Sequence, residues 1–185
     1  MPLASVSTMA HRMRRTILAG AATALALALT TACTPDPAPS PTPTGFASEE
    51  DAFAAAEATY RAYVDALNDV DLADPATFEP VYDKLSGNAL SDSKRTLSRL
   101  HADGYTRTGE TLVGQEQLAS AELSSGRVTL SLCLDVTDVD VLDETGSSVV
   151  SPDRVDVQPL DVTFITSSGE LKIDDSIASE ELACG

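Results

Sequence analysis

Arg127-Val-Thr-Leu-Ser-Leu-Cys-Leu-Asp-Val136 is the stretch whose reading decides the fold class. Val128, Leu130, Leu132, Leu134 and Val136 alternate with Thr129, Ser131, Cys133 and Asp135. Successive side chains of a β-strand point to opposite faces, so a period of two gives one buried and one polar face. Downstream, 139–142 reads as a continuation of this strand after a bulge, and Asp143-Glu-Thr-Gly146 as a turn. Residues 155–165 read as another strand. Its inward set shifts near Pro159, from Val155 and Val157 to Leu160, Val162 and Phe164, which predicts a bulge or bend there. Ser167-Ser-Gly-Glu170 closes a hairpin into a strand over 171–177. Upstream, 105–113 and 115–123 read as strands flanking Gly114.

Before Gly104 the period is helical. Ser48 can cap a helix whose first turn holds Glu49, Glu50 and Asp51, where the helix dipole favours negative charge. Phe53, Ala56, Tyr60, Tyr63, Val64 and Leu67 recur at helical spacing, and the helix should end near Asn68. Asp74-Pro75 marks a second helix start, with Phe78, Val81, Tyr82 and Leu85 on its apolar side and Gly87 as its stop. Pro80 would kink this helix or move its start. A third helix is predicted over 90–102, with Leu90, Leu97 and Leu100 inward, Lys94, Arg95 and Arg99 as a solvated basic face, and Gly104 just past its end. Helices followed by a mostly antiparallel sheet define an α+β domain over 46–185, with the helices packed on one face of a curved sheet.

The first helix, 53–67, and the closing hairpin, Val162-Thr-Phe-Ile-Thr-Ser-Ser-Gly-Glu-Leu-Lys-Ile-Asp-Asp175, resemble the NTF2-like (cystatin-like, α+β cone) superfamily. Leu171 stands where that family usually has Trp, and no motif in the resemblance is specific. The resemblance implies a cone whose concave side can hold a ligand. On it, Phe53, Tyr60, Tyr63 and Phe164 become candidate pocket-lining residues, with core or core rim as the rival assignment. Enzymes of this type place an Asp or His in the cone mouth for proton transfer.

The other decisive segment is N-terminal. His11, Arg12, Arg14 and Arg15 precede 13 uncharged residues, Ile17 to Leu29, a stretch that fits a signal-peptide core and is short for a bilayer of about 30 Å. Thr30-Thr-Ala-Cys33 comes next and resembles a bacterial lipobox. The resemblance implies cleavage before Cys33 and acyl chains on it, two or three of which anchor stably where one does not. Thr30 occupies the place that usually carries Leu, so an ordinary signal-peptidase cut that leaves Cys33 a free thiol is the rival. Arg14-Arg15-Thr-Ile-Leu is compatible with a twin-arginine as well as a general secretory signal, and Met9 or Met13 could be the start. After Cys33, five prolines alternate with other residues up to Gly45, which favours an extended polyproline tether of roughly 35 Å. The organisation is thus a signal peptide over 1–32, a lipidated Cys33 with its tether over 33–45, and one domain over 46–185. In its Ala-rich signal, Pro/Thr tether and acidic α+β domain, the chain resembles small lipoproteins of actinobacteria.

Removing residues 1–32 from the 185 leaves 153, enough for one core. This mature part carries nine basic against 29 acidic side chains, a net charge of about −20. Such a chain repels phosphate backbones and anionic lipid surfaces, so nucleic acid is excluded as a partner and membrane attachment has to come from an apolar anchor. Cys133 and Cys184 form an even pair in an exported chain and read as a disulfide, with separate thiols or a metal site as rivals. No catalytic set, metal site or cofactor motif is read. His101, the single histidine of the mature part, stands beside Asp103 at a helix end, and no nucleophile-elbow sequence accompanies it. Asp135, Asp138, Asp140, Asp143 and Glu144 cluster before Gly146 without calcium-loop spacing.

The functional expectation is a lipid-anchored protein on the outer face of the cell membrane. Its domain binds a small ligand or an envelope protein without catalysis. An isomerase- or dehydratase-type enzyme with an Asp/His pair in the cone is the alternative, and a plain spacer or surface antigen a third reading. A filled cone would favour the first, and an apolar pocket above ~300 Å³ with an Asp or His pointing in would favour the second. The polar sheet face with Thr129, Ser131 and Asp135 favours a monomer.

Overall fold

Four segments of alternating sequence pair into one antiparallel sheet, and the helices lie on the face that carries its aliphatic side chains. The computed structural model describes residues 45–184. The expected signal sequence, Cys33 and the proline-rich stretch expected as a tether lie outside the described residues.

Helix α1 spans Glu49–Asn68, and Ser48 Oγ accepts the backbone N–H of Asp51 at 3.1 Å, as the capping pattern predicts. Its buried residues are Ala52, Ala56, Tyr60 and Val64, one stripe at intervals of four. Phe53, Tyr63 and Leu67 flank this stripe, partly buried. Asp74 caps a 3-10 turn over Pro75–Phe78, and the short helix α2 covers Glu79–Tyr82 with Pro80 in its first turn. Proline thus restarts the helix instead of kinking it, because a first-turn residue needs no intrahelical N–H bond.

Helix α3 spans Gly87–Ala102, three residues longer than predicted. Gly87 opens this helix and does not close the preceding one. Its φ is +49°, in the left-handed region that favours glycine, and a Cβ there would also press on the Asp174 side chain at the sheet edge. The neighbouring Ser86 donates its N–H to Ile173 O at 2.7 Å.

The strands are β1 Thr106–Thr108, β2 Leu112–Glu122, β3 Arg127–Asp135, β4 Asp140–Leu142, β5 Val157–Ser167 and β6 Glu170–Ala178. The main sheet has the order β2-β3-β5-β6, all antiparallel, and β1 pairs with β4 in a separate two-stranded sheet. Three details differ from the sequence reading. The break between the upstream strands falls at 109–111, and Gly114 lies within β2 at a register shift between Val113 and Glu116. Residues 140–142 leave the line of β3 and pair with β1. The β3–β5 ladder runs unbroken through Cys133↔Pro159, so Pro159 marks no bulge, and the shift falls at Asp174 of β6. Val157, paired with Asp135, is out of phase with Leu160 because it lies on the other face of the sheet.

The core is the concave face. Val128, Leu130, Leu132, Val162 and Phe164 are all 0% exposed and packed in one cluster with the α1 stripe. On the opposite face, Ser131 Oγ donates to Asp161 at 2.6 Å. A disulfide joins Cys133 to Cys184 and ties the tail to the middle of β3. Phe46 donates its N–H to Leu123 O at 2.8 Å, fixing where the chain joins the fold. Among the described residues no helix is long and apolar enough to cross a membrane.

Leu130→Ala should cost about 2–5 kcal/mol of stability in urea unfolding. Ile177→Ala, on the opposite face of the sheet at 59% exposure, should stay within about 0.5 kcal/mol. Reducing the disulfide should lower stability by at most about 4 kcal/mol, the chain-entropy value for a separation of 51 residues.

Candidate functional site

The α1 stripe and the sheet close tightly around Ala52 and Ala56, but the cone stays open toward Leu134 and Leu160. There a cavity of about 360 Å³ lies between α1, α3, β6 and the sheet. Its inner wall is apolar and includes Tyr60, Leu85, Leu97 and Ile173, each at most 6% exposed. Tyr63 and Leu67 of α1 add to this wall. The outer wall is polar, with Asp92, Ser93 and Thr96 from α3 and Asp175 and Ser176 from β6. Helix periodicity explains the first three: Asp92 and Ser93 stand one turn after Ala89 and one turn before Thr96, on the same side of α3. The register shift at Asp174 sets the phase of Asp175 and Ser176.

Two phenols, Tyr60 and Tyr63, stand in this wall with ring centroids 5.7 Å apart. Burial raises the pKa of both, and the neighbouring Tyr63 and Glu116 raise that of Tyr60 further. Both hydroxyls are therefore protonated across the physiological range and can donate hydrogen bonds. Asp92 is exposed and paired with Arg95 at 2.5 Å. Asp175 accepts the N–H of Ser176 at 3.0 Å and has no ion-pair partner among the described residues.

Of the residues singled out in the sequence, the structure brings Tyr60 and Tyr63 to this cavity. Phe53 and Phe164 do not line it. Phe164 is fully buried in the core and Phe53 packs at the core rim, so here the rival assignment holds. His101 is not in the cone either. Its Nδ1 donates to Leu72 O at 2.7 Å and its ring packs edge-on against Phe78, tying the loop after α1 to the last turn of α3. The Asp/His pair of the enzyme reading is therefore not assembled at this cavity. Asp135 and Asp143 turn their oxygens to Thr137, Thr145 and Ser147 in tight turns, and Asp140 accepts from Ser148. Among the described residues no group of three His, Cys, Asp or Glu could hold a metal ion. Of the predicted basic face, Lys94 lies over the Tyr82 ring at 5.2 Å from its centroid.

Glu116 is a feature that the sequence reading does not single out. It pairs with Leu132 across the ladder and so falls on the concave side, with its side chain only 4% exposed. One oxygen meets Arg61 of α1, which also holds Glu57 at 3.2 Å, and Oε1 has no partner among the described residues. Burial is the largest influence and raises the Glu116 pKa above its ordinary 4.5; Arg61 opposes it and Glu57 adds to it. A glycine inside a strand pattern is the available signal, since such a glycine marks a bulge and shifts the phase of the residues after it.

A raised carboxyl pKa means the folded state favours the protonated form. The stabilising contribution is complete below the unfolded value of 4.5 and is lost as pH rises through the higher folded value. Glu116→Gln should therefore match the wild type near pH 4 and be more stable at pH 7, because half-exposed Arg61 can be solvated once its partner is gone. Urea unfolding of both proteins at the two pH values checks the sign.

No family model and no curated protein matches the chain. Solved structures do. A protein assigned as an aromatic ring hydroxylase from Novosphingobium aromaticivorans aligns with a TM-score of 0.50 at 10% identity, over 70% of this chain and 87% of that one. The intermembrane space region of the chloroplast protein ARC6 aligns at 0.48 and 14% identity, over 68% and 95%. Aln2 from a Streptomyces species aligns at 0.43 and 14%, over 72% and 93%. Identities this low speak to architecture alone, and the architecture is α+β, with helices packed on a mostly antiparallel sheet.

Proposed function

We propose that the domain is a binding module that takes a small, largely apolar ligand in the cone, and that it is held outside the cell by acyl chains on Cys33. The observation that carries the binding reading is the open cavity of about 360 Å³, walled by buried Tyr, Leu and Ile side chains. It falls in the range of about 300–1,000 Å³ typical of small-molecule sites, which are mostly apolar with a few placed polar groups. The cone is not filled, and by the criterion set out for the sequence an open cavity of this size counts toward the enzyme alternative. Against that alternative, Asp92 is solvated and paired, and His101 is committed to Leu72. A cavity without a paired acid and base suits recognition better than proton-transfer chemistry. The export reading rests on the sequence up to Cys33: a basic start, an apolar stretch, small residues before Cys33 and a proline-rich spacer.

Two measurements test the two halves. Indole-3-ethanol, a neutral probe, should shift amide resonances of α1, α3 and β6 on titration, and Ala89→Phe, which fills the cavity from α3, should remove those shifts. Shifts that survive Ala89→Phe overturn the site. Labelled palmitate fed to the producing bacterium should enter the wild type and not Cys33→Ala; equal uptake by the two overturns the anchor.

A further inference from the structure

Two phenols stand in an otherwise aliphatic inner wall, and the fold gives their hydroxyls nothing to bind. Neither the Tyr60 nor the Tyr63 hydroxyl has a hydrogen-bond partner among the described residues. Tyr60 is only 2% exposed. Yet its oxygen is not among the unpartnered side-chain atoms sealed from solvent, which among the described residues are Glu116 Oε1 and Arg154 Nε. The little of Tyr60 that stays open therefore includes its hydroxyl, and the opening it borders is the cavity. Tyr63 stands about one turn further along α1, with its ring centroid 5.7 Å away. Glu116 acts on Tyr60 through space and accepts no hydrogen bond from it. An enclosed O–H without a partner is costly, and a ligand that supplies an acceptor recovers that cost.

The rest of the wall offers an ion nothing. No lysine, arginine or histidine lines the cavity, so a carboxylate ligand would meet no cation there. Asp92 is exposed and held by Arg95. Asp175 pairs with Thr163 and shares a face with exposed Ile177, so its carboxylate lies on the outer face of the sheet. An ammonium group inside would thus meet no carboxylate. Either ion would shed its water against Leu85, Leu97 and Ile173 without compensation.

We propose that the ligand is a neutral molecule with an apolar body and a carbonyl oxygen, which accepts hydrogen bonds from the Tyr60 and Tyr63 hydroxyls. A carbonyl oxygen has two lone pairs and no proton of its own, so two donors satisfy it, whereas an alcohol brings a further O–H to place. The proposal rests on the binding reading above and names the class of compound the site selects.

The test uses probes of one shape, titrated against the full chain with its disulfide intact: 1-indanone, indane, 1-aminoindane and indane-1-carboxylate. Water holds the ketone better than the hydrocarbon, yet 1-indanone should bind at least as tightly as indane, and both charged probes more weakly than either. In the Tyr60→Phe/Tyr63→Phe double variant the ratio should swing toward indane by about tenfold, while indane itself binds as before. The infrared carbonyl band of bound 1-indanone should lie below its position in hexane, which reads the hydrogen bonds in the unmodified protein and needs no variant. A band at the hexane position, a band shift or binding ratio that persists in the double variant, or a charged probe binding as tightly as 1-indanone overturns the carbonyl ligand. Indane binding would still leave the cavity standing. Failure of all four probes to bind overturns the binding reading itself.

Discussion

Ala52 and Ala56 let the axis of α1 approach the middle of the sheet, where Leu130, Leu132, Val162 and Phe164 leave no surface exposed. Close helix-on-sheet contact is the constraint on which the other elements depend. It removes apolar surface from water, the dominant favourable term in folding. It also fixes the concave side of the sheet, and with it the faces that α3 and the short helices must cover. The contact stripe is four residues long and ends at Val64. Beyond the alanines the stripe carries bulky residues, Tyr60 and then Tyr63 and Leu67 beside it, and the helix stands off behind large side chains instead of methyl groups. The cavity is the space left where α1 changes from small to large residues.

The alternation of 127–136, the capping of α1 and the helical spacing before Gly104 are legible in the sequence because each is a local pattern with a local cause. The α+β class and the concave core residues of β3 and β5 derive from them, while the Cys133–Cys184 pairing comes from the even count of cysteines left after Cys33. Phase is not legible in the same way. A single extra residue at 114–115 turns Glu116 inward, another at Asp174 sets the positions of Asp175 and Ser176, and the apparent shift at Pro159 proves to be a change of face with no bulge. Bulges are decided by what the partner strand does, and the partner lies far away in sequence. Gly87 escapes a local reading for the same reason: its neighbour is Asp174, 87 positions on, and no local pattern records that approach.

The same dependence governs the candidate site. Tyr60 and Tyr63 are visible because helical periodicity places them on the inner side of α1. Phe164 is equally visible as an inward residue, yet inward at the middle of a sheet means core, while inward at its open end means cavity. Only the packed structure separates the two. Glu116 shows how strongly packing can override chemistry. The sequence around it reads simply as a strand, and the fold accepts a nearly buried carboxylate because Arg61 reaches it from α1. Such a pair is weak evidence for stability, since desolvation offsets much of its attraction.

Phe46 joins the fold at Leu123, at the hairpin end of β2 and β3, whereas the cavity lies toward Leu134 and Leu160. Along β3 the two places are separated by roughly 23 Å, at about 3.3 Å per residue from Arg127 to Leu134. A domain gripped by whatever precedes Phe46 therefore hangs from one pole and opens at the other.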